Sequence, residues 1–545
     1  MLARLDDETF DLLVVGGGVT GAGVALDAAT RGLRTALVEA DDFASGTSSK
    51  SSKLVHGGLR YLQQGDIRLV YEALHERQRL RRNAPHLVHL LPFMIPIMTR
   101  DGLIPRRVAR ALGSAMWMYD LTGGFRIGKL HKRLKADAAF AHLPTMPRER
   151  LAGGYLYYDA TTDDARLVLT IARTAADHGA VVVNRARVVG FTKDADGQVD
   201  GATVDADGRQ VVVRATVVVN AAGVWADELR ELEHPAAGDT IRPAKGIHIT
   251  VPWDLIRNDI AAVVPVPRDR RSVFVVPWGK FTYIGTTDTD YDGPVDDPQC
   301  RAEDVEYLLR AINTAITTTI TEADITGTWA GLRPLVKSVE NGRTADLSRR
   351  HRVASSSSGM VTVTGGKLTT YREMAADTID DIAELLGHRP GKKPTARASR
   401  TKRLELRGAA GYSAVRAGGD GRTVHLADRY GGEARTVLAM IDKDPTLGRP
   451  LVAGLPYVRA EAVYAARHEM ARSVDDVLTR RTRARLLDGR AAAAAADDVA
   501  ELIGGILGHG PGERAAQAAA FRAAVLHERS SMALPEAALE PSLGA

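Results

Sequence analysis

Near the start of the chain the apolar positions fall in short continuous runs. Asp11–Val15 (DLLVV) and Arg34–Val38 (RTALV) bracket a stretch with helical period, Gly21–Thr30. A run, a helical period and a second run predict a βαβ unit with buried parallel strands. Helices are predicted over Leu69–Arg82 and Leu167–His178. Strand-like runs follow at Ala180–Val183, Gln210–Val213 and Ala215–Val219, with hairpin-like turns at 194–197 and 205–208. More short strands, carrying aromatics, are expected between residues 246 and 287. Met360–Thr364 reads as another buried strand, running into Gly365-Gly366 and a helix from about Leu368.

Two regions break this rhythm. Pro85–Arg150 carries scattered prolines, aromatics and basic residues and reads as an insertion outside the sheet. Pro390–Arg403 is basic and poor in large apolar residues, which predicts a linker. Beyond it, Ala-rich helical patterns dominate, including Ala460–Asp488 and Ala491–Leu507, and Ala533–Ala545 is expected to fray. The fold class is therefore α/β. A Rossmann-like nucleotide-binding domain is built from distant segments (about 10–84, 151–240 and 353–388). It holds inserted α+β substrate-binding segments (about 85–150 and 241–352), and a C-terminal α-helical domain spans 404–545.

Composition narrows the class. The 545 residues are 45% hydrophobic and 26% charged, the profile of a globular protein with large cores. One cysteine, Cys300, excludes an intrachain disulfide and a Cys-rich metal centre, and no metal site is expected. A net charge of +5 is mild for this length and calls for no nucleic acid. The N-terminus lacks a signal-peptide pattern, and the longest apolar stretch, Leu87–Met98, is interrupted by His89, Pro92 and Pro96. Any membrane contact is expected to be peripheral.

The first βαβ unit carries chemistry. Gly16-Gly-Gly-Val-Thr-Gly21 fits G-x-G-x-x-G between a strand and a helix. Gly16 permits the tight turn, Gly18 lets backbone approach a pyrophosphate, and Gly21 allows close helix–sheet packing. Glu39, at the end of the second strand, suits a ribose 2′-hydroxyl and would repel a 2′-phosphate. The nucleotide is NAD or FAD. FAD is favoured because Asn220-Ala-Ala-Gly223 and Gly365-Gly366 each follow an apolar strand, which returns backbone to one cofactor from far along the chain.

Further blocks extend the pattern: Val15–Gly32 (VGGGVTGAGVALDAATRG), Ser51–Leu62 (SSKLVHGGLRYL), Lys245–Ile249 (KGIHI), Ile284–Gly293 (IGTTDTDYDG), Gly331–Leu335 (GLRPL) and Gly365–Ala375 (GGKLTTYREMA). In these blocks and their order the chain resembles the FAD-dependent glycerol-3-phosphate dehydrogenases of the D-amino-acid-oxidase-like flavoprotein superfamily. The resemblance spans most of residues 10–385. It implies noncovalent FAD and oxidation of sn-glycerol 3-phosphate to dihydroxyacetone phosphate, with the C2 hydride passing to flavin N5. It implies His248 as proton acceptor and Arg333 as alkoxide stabiliser. Arg60, Tyr61, Lys367 and Arg372 become substrate-binding candidates, the three cations for the phosphate or for orienting the substrate, because guanidinium and ammonium groups pair with phosphate. Ser48, Ser49, Ser52, Lys53, His56, Gly57, Ala222, Gly223, Gly366, Lys367 and Leu368 join Gly16, Gly18, Gly21 and Glu39 as cofactor-binding candidates.

The resemblance also implies membrane quinone as electron acceptor, with the protein on the inner face of the cell membrane. A basic segment containing Arg106, Arg107, Arg110, Arg126, Lys129, Lys132, Arg133 and Lys135 could lie on anionic lipid, with Val108, Leu112, Met116 and Tyr119 on one apolar face. The bland alternative packs that face on the core. A helical C-terminal domain is compatible with a homodimer. Three rival functions remain open from the sequence: an oxidase passing electrons to oxygen, a flavoenzyme acting on another hydroxy acid or an amine, and a membrane-surface protein with structural FAD.

Overall fold

The computed structural model describes residues 1–58, 66–98, 113, 116–121, 129–266, 269, 271–337, 351–387 and 397–533. Strand β1 (Thr9–Val15) is buried over its last four positions, as its apolar run requires. It forms parallel pairs with β2 (Thr35–Val38) and with β10 (Arg209–Asn220). β10 in turn pairs in parallel with β18 (Val361–Thr364), and β2 with β7 (Val181–Val183). Antiparallel β17 (Arg352–Ser355) closes one edge, while β8 (Arg187–Lys193) and β9 (Val199–Ala206) extend β10 as hairpins. Gln210–Val213 and Ala215–Val219 are thus one continuous strand. The helix Val19–Arg31 packs on this sheet between the helices Asp164–Asp177 and Tyr371–Gly387. The Rossmann-like unit is built from segments far apart in sequence.

A second sheet of ten strands stands against the first. It contains β3 (Leu54–Val55), β4 (Val88–Met98), β5 (Lys132–Lys135), β6 (Leu151–Thr162), β11 (Ile241–Pro252), β12 (Ala261–Pro265), β13 (Ser272–Trp278), β14 (Phe281–Gly285), β15 (Thr289–Asp290) and β16 (Gly327–Val336). Two expectations change here. Val88–Met98, read as insertion, is a full sheet strand, and Leu151–Thr162, assigned to the nucleotide domain, is its antiparallel partner. Pro92 and Pro96 hid the strand. They share one phase of the pleat, so their missing N–H groups fall on one side, and β12 registers only with Phe93 and Met94.

The C-terminal helices have their own core, including Val452, Val477, Val499, Ile503 and Phe521. They also dock through buried ion pairs. Arg166 grips Glu469 in a fork (2.5 and 3.0 Å), and Arg481 grips Asp42 (2.6 and 2.8 Å). The described end of the expected linker, 397–403, is not free chain. Ser399 and Thr401 donate to Asp27 Oδ1 at 2.5 and 3.1 Å, and Thr401 is buried. Cys300 is buried in the core of the second sheet.

Candidate active site

The nucleotide end is built by close approach. Gly16, at φ +111, would place a Cβ 2.7 Å from the Ala221 carbonyl oxygen and 2.9 Å from Ala222 Cα. A Cβ on Gly21 would fall on the Gly16 carbonyl. The loop after β1, the first helical turn and the Ala221–Gly223 turn therefore share one crowded corner, and only glycine fits there. Gly18 is the N-cap of the helix and supplies no side-chain acceptor. Ser48 Oγ reaches over from the next loop and accepts from the Val19 N–H at 2.9 Å. Glu39 accepts from the Gly17 and Asp41 N–H groups at 2.6 and 2.9 Å, and burial raises its carboxyl to about 6. A glycine cradle at a helix N-terminus with a carboxylate at the end of the second strand fits the pyrophosphate and ribose of a dinucleotide.

A cleft opens between the two sheets. Its walls include Thr47, Lys50, Ser52, His56, Gly246, His248, Thr286, Arg333, Gly365, Gly366, Lys367 and Leu368. Gly365 and Gly366 take φ +75 and +81, turning the chain sharply as it leaves β18 so that Lys367 and Leu368 face the cleft. His248 and Arg333 arrive on neighbouring strands. In the β11–β16 register Ala244 opposes Arg333, Gly246 opposes Gly331 and His248 opposes Trp329. Arg333 donates to Asp288 (3.0 Å), Thr286 Oγ1 (3.3 Å) and the Thr287 carbonyl (3.2 Å). These contacts fix the fork in place beside His248.

His248 is buried. Its Nε2 lies 2.9 Å from Ser52 Oγ, while Nδ1 has no hydrogen-bond partner among the described residues. Burial, with Lys53 and Arg333 nearby, holds its pKa well below the usual histidine value, so the ring is neutral at neutral pH. A neutral imidazole with an unsatisfied ring nitrogen can take a proton from a hydroxyl bound beside it.

Not every expected residue reaches the cleft. Arg372 is buried in a forked ion pair with Glu76 (2.7 and 2.8 Å) and also meets Glu373. It faces the helix Ile67–Asn83, and its guanidinium is spent on structure. Lys53 is buried behind the cleft, with Nζ 3.3 Å from Asp164 and 4.4 Å from the centre of the Trp329 ring. Gly57 is buried beside Asp159 and Tyr119, and Ser49 turns its carbonyl inward to Lys53 and Arg483. Arg60 and Tyr61 lie outside the described residues, as does most of the basic segment after residue 98. Two contributors had no sequence signal: Trp329, stacked on His248, and Asp164, which gathers Ser51, Lys53 and Arg483; Asp288, which holds Arg333, lay in the block Ile284–Gly293 without being singled out.

Comparison with known proteins gives the family. A family model described as FAD dependent oxidoreductase matches residues 11–372, and one described as the C-terminal domain of alpha-glycerophosphate oxidase matches 399–514. Glycerol-3-phosphate dehydrogenase 2 of Mycobacterium bovis is 41% identical, covering 98% of this chain and 91% of that protein. The human mitochondrial glycerol-3-phosphate dehydrogenase is 38% identical, covering 92% of this chain and 71% of that protein. The chain belongs to the FAD-dependent glycerol-3-phosphate dehydrogenase family. Its fold matches that of the Bacillus halodurans glycerol-3-phosphate dehydrogenase solved with FAD, with a TM-score of 0.76 at 28% identity, covering 100% of this chain and 98% of that one. FAD is the family's cofactor. In this chain Gly16, Gly18, Gly21, Ser48, Glu39, Ala222 and Gly223 would hold its dinucleotide end, with Gly366 and Leu368 toward the cleft.

Proposed function

We propose that this protein oxidises sn-glycerol 3-phosphate to dihydroxyacetone phosphate and delivers the electrons to a membrane quinone. The observation that carries the reading is the convergence of a neutral His248, a fixed Arg333 and Lys367 in one cleft beside the Gly365-Gly366 turn. Bound FAD supplies a hydride acceptor and passes two electrons onward. The protein's own residues do the rest. Lys367 and Arg333 provide positive charge for a phosphate ester dianion and for the oxygen that gains charge as the C2–H bond breaks. His248 takes the hydroxyl proton, so the substrate loses one hydride and one proton and its C2 becomes a carbonyl. An amine substrate would be repelled by the same cations.

A membrane surface is supported by the short helical stretch at 116–121. Met116 and Tyr119 are buried, as the bland reading of that segment required, yet Trp117, Met118 and Leu121 are 57%, 43% and 73% exposed. Leu130, Lys129, Lys132, Arg133 and Lys135 are exposed close by in sequence. Exposed aromatic and aliphatic groups flanked by lysine and arginine suit the interface of an anionic bilayer. No helix among the described residues is long and apolar enough to cross a membrane.

The test is an anaerobic titration of the FAD-loaded protein with glycerol 3-phosphate. The flavin absorbance near about 450 nm should bleach, a property of the cofactor, and a soluble quinone should restore it faster than oxygen does. No bleaching would reject the substrate. Faster recovery with oxygen would reject the quinone.

A further inference from the structure

Arg483 belongs to the C-terminal helical unit, yet its guanidinium serves the cleft. The residue is fully buried and takes φ +79, a left-handed conformation that non-glycine residues avoid. It follows a π-helical turn, Asp476–Arg481, a rare element frequently found at functional sites. Nη1 is anchored on the Thr479 carbonyl at 3.1 Å. Nη2 donates to the Ser49 carbonyl and, at 2.9 Å, to Asp164 Oδ1.

Asp164 continues the chain of contacts. It accepts from the Ser51 N–H (3.1 Å), the Ser51 hydroxyl (2.7 Å) and Lys53 Nζ (3.3 Å). Lys53, itself at φ +55, donates back to the Ser49 carbonyl at 3.2 Å. Ser49, Ser51 and Lys53 are therefore all held by the Arg483–Asp164 pair. The residue left between them, Ser52, faces the other way, with Oγ 2.9 Å from His248 Nε2. The second sheet closes the clamp from its side: Tyr283 donates to the Ser52 carbonyl at 2.8 Å, and Trp329 donates to the Ser51 carbonyl at 3.0 Å.

We propose that Arg483 is a positioning residue through which the C-terminal helical unit completes the active site, holding the serine loop so that Ser52 orients His248. The inference rests on His248 acting as the proton acceptor. A forked guanidinium is needed because one nitrogen must serve a carbonyl and a carboxylate while the other stays anchored, which the compact ammonium of lysine does not reproduce. The C-terminal unit is on this view part of the catalytic body. A small displacement of the loop carries straight to the histidine that handles the proton.

The experiment uses the full-length, FAD-loaded protein and three variants: Arg483→Lys, Ser52→Ala and the double variant. FAD content, visible circular dichroism of the bound flavin, and the rate of anaerobic flavin reduction across glycerol 3-phosphate concentrations are recorded for each. Arg483→Lys should keep FAD and bind substrate within about twofold of wild type, while its limiting reduction rate falls roughly ten- to hundredfold and the flavin dichroism changes. The double variant should be no slower than the slower single variant, because both act through one contact. A wild-type limiting rate in Arg483→Lys, or losses that multiply in the double variant, would overturn the proposal. If Arg483→Lys does not fold, Ser52→Ala decides alone: a wild-type limiting rate and unchanged dichroism reject the positioning of His248. Failure of wild-type flavin to bleach would instead reject the functional reading, and the dichroism comparison still judges the loop.

Discussion

His248 and Trp329 oppose each other across neighbouring antiparallel strands, and their rings stack 4.7 Å apart at an interplanar angle of 10°. The stack fixes the plane of the imidazole. Ser52 occupies the Nε2 edge, and Nδ1 is buried without a hydrogen-bond partner among the described residues.

The neutral ring carries a pH signature. Burial first, then Lys53 and Arg333, hold the histidine pKa well below 6.5. In the proposed role as proton acceptor the ring works in its neutral form, so the rate of flavin reduction should stay flat from pH 8 down to about 6 and fall only at more acid pH. A rate that halves near pH 6.5 would contradict this. His248→Gln should retain FAD and reduce it roughly 10²- to 10⁴-fold more slowly.

Gly246→Ala tests the seat of Arg333. A Cβ there would lie 2.6 Å from both Arg333 Nη2 and Thr286 Oγ1. The guanidinium must move, since the strand backbone cannot. The expected result is a fall of roughly tenfold or more in kcat/KM for glycerol 3-phosphate, with FAD content and melting temperature near wild type. Steady-state kinetics together with flavin content would show it.

Glu39→Ala should loosen the cofactor. The carboxylate holds the Gly17 and Asp41 N–H groups and is placed for a ribose hydroxyl. Loss of charged hydrogen bonds of this kind weakens binding roughly ten- to hundredfold. Because burial raises this carboxyl to about 6, wild-type protein should also release flavin increasingly as the pH drops through that value and the acceptor is protonated. Flavin fluorescence in the filtrate after ultrafiltration measures both effects.

The Arg166–Glu469 pair should govern acid stability of the C-terminal docking. Burial alone would raise the Glu469 carboxyl, but Arg166, Arg173 and Arg481 more than reverse this and hold it down to about 2. A carboxyl lowered on folding stabilises above its unfolded value near 4.5, and that contribution is lost as pH falls from there toward 2. Glu469→Gln should cost about 3–5 kcal/mol at neutral pH by leaving Arg166 buried and unmatched, and should flatten the pH dependence in that window. Thermal melts followed between pH 7 and pH 3 would read both.

Local pattern made the nucleotide end legible. The βαβ unit, the glycine cradle, Glu39 and the returning Ala221–Gly223 turn are short-range signals, and the structure brings them together at one end of the first sheet. The convergence of His248, Arg333 and Lys367 followed from motif resemblance, since no periodicity brings residues from two strands and a helix start into one cleft. What stayed hidden is long-range. Arg372 looks like a cleft residue by its place in GGKLTTYR, yet Glu76, almost 300 residues earlier, claims it. The prolines of Val88–Met98 masked a strand because their tolerance depends on which neighbour lies on each side. Asp164, Trp329 and Arg483 carry no local mark, because an acid, an indole and a guanidinium gain their meaning only from partners brought by the fold.

The order of the first sheet has a consequence for how the protein is made. β1 ends at Val15, but its neighbour β10 waits for Val361 to pair on its far side. At roughly 5–20 residues per second a ribosome needs on the order of ten seconds to span the interval from the end of β10 at Asn220 to Val361. Throughout it the valine-rich edge of β10 is an open template for other chains. Nascent chains are therefore open to mispairing along β10 until the last parallel strand emerges.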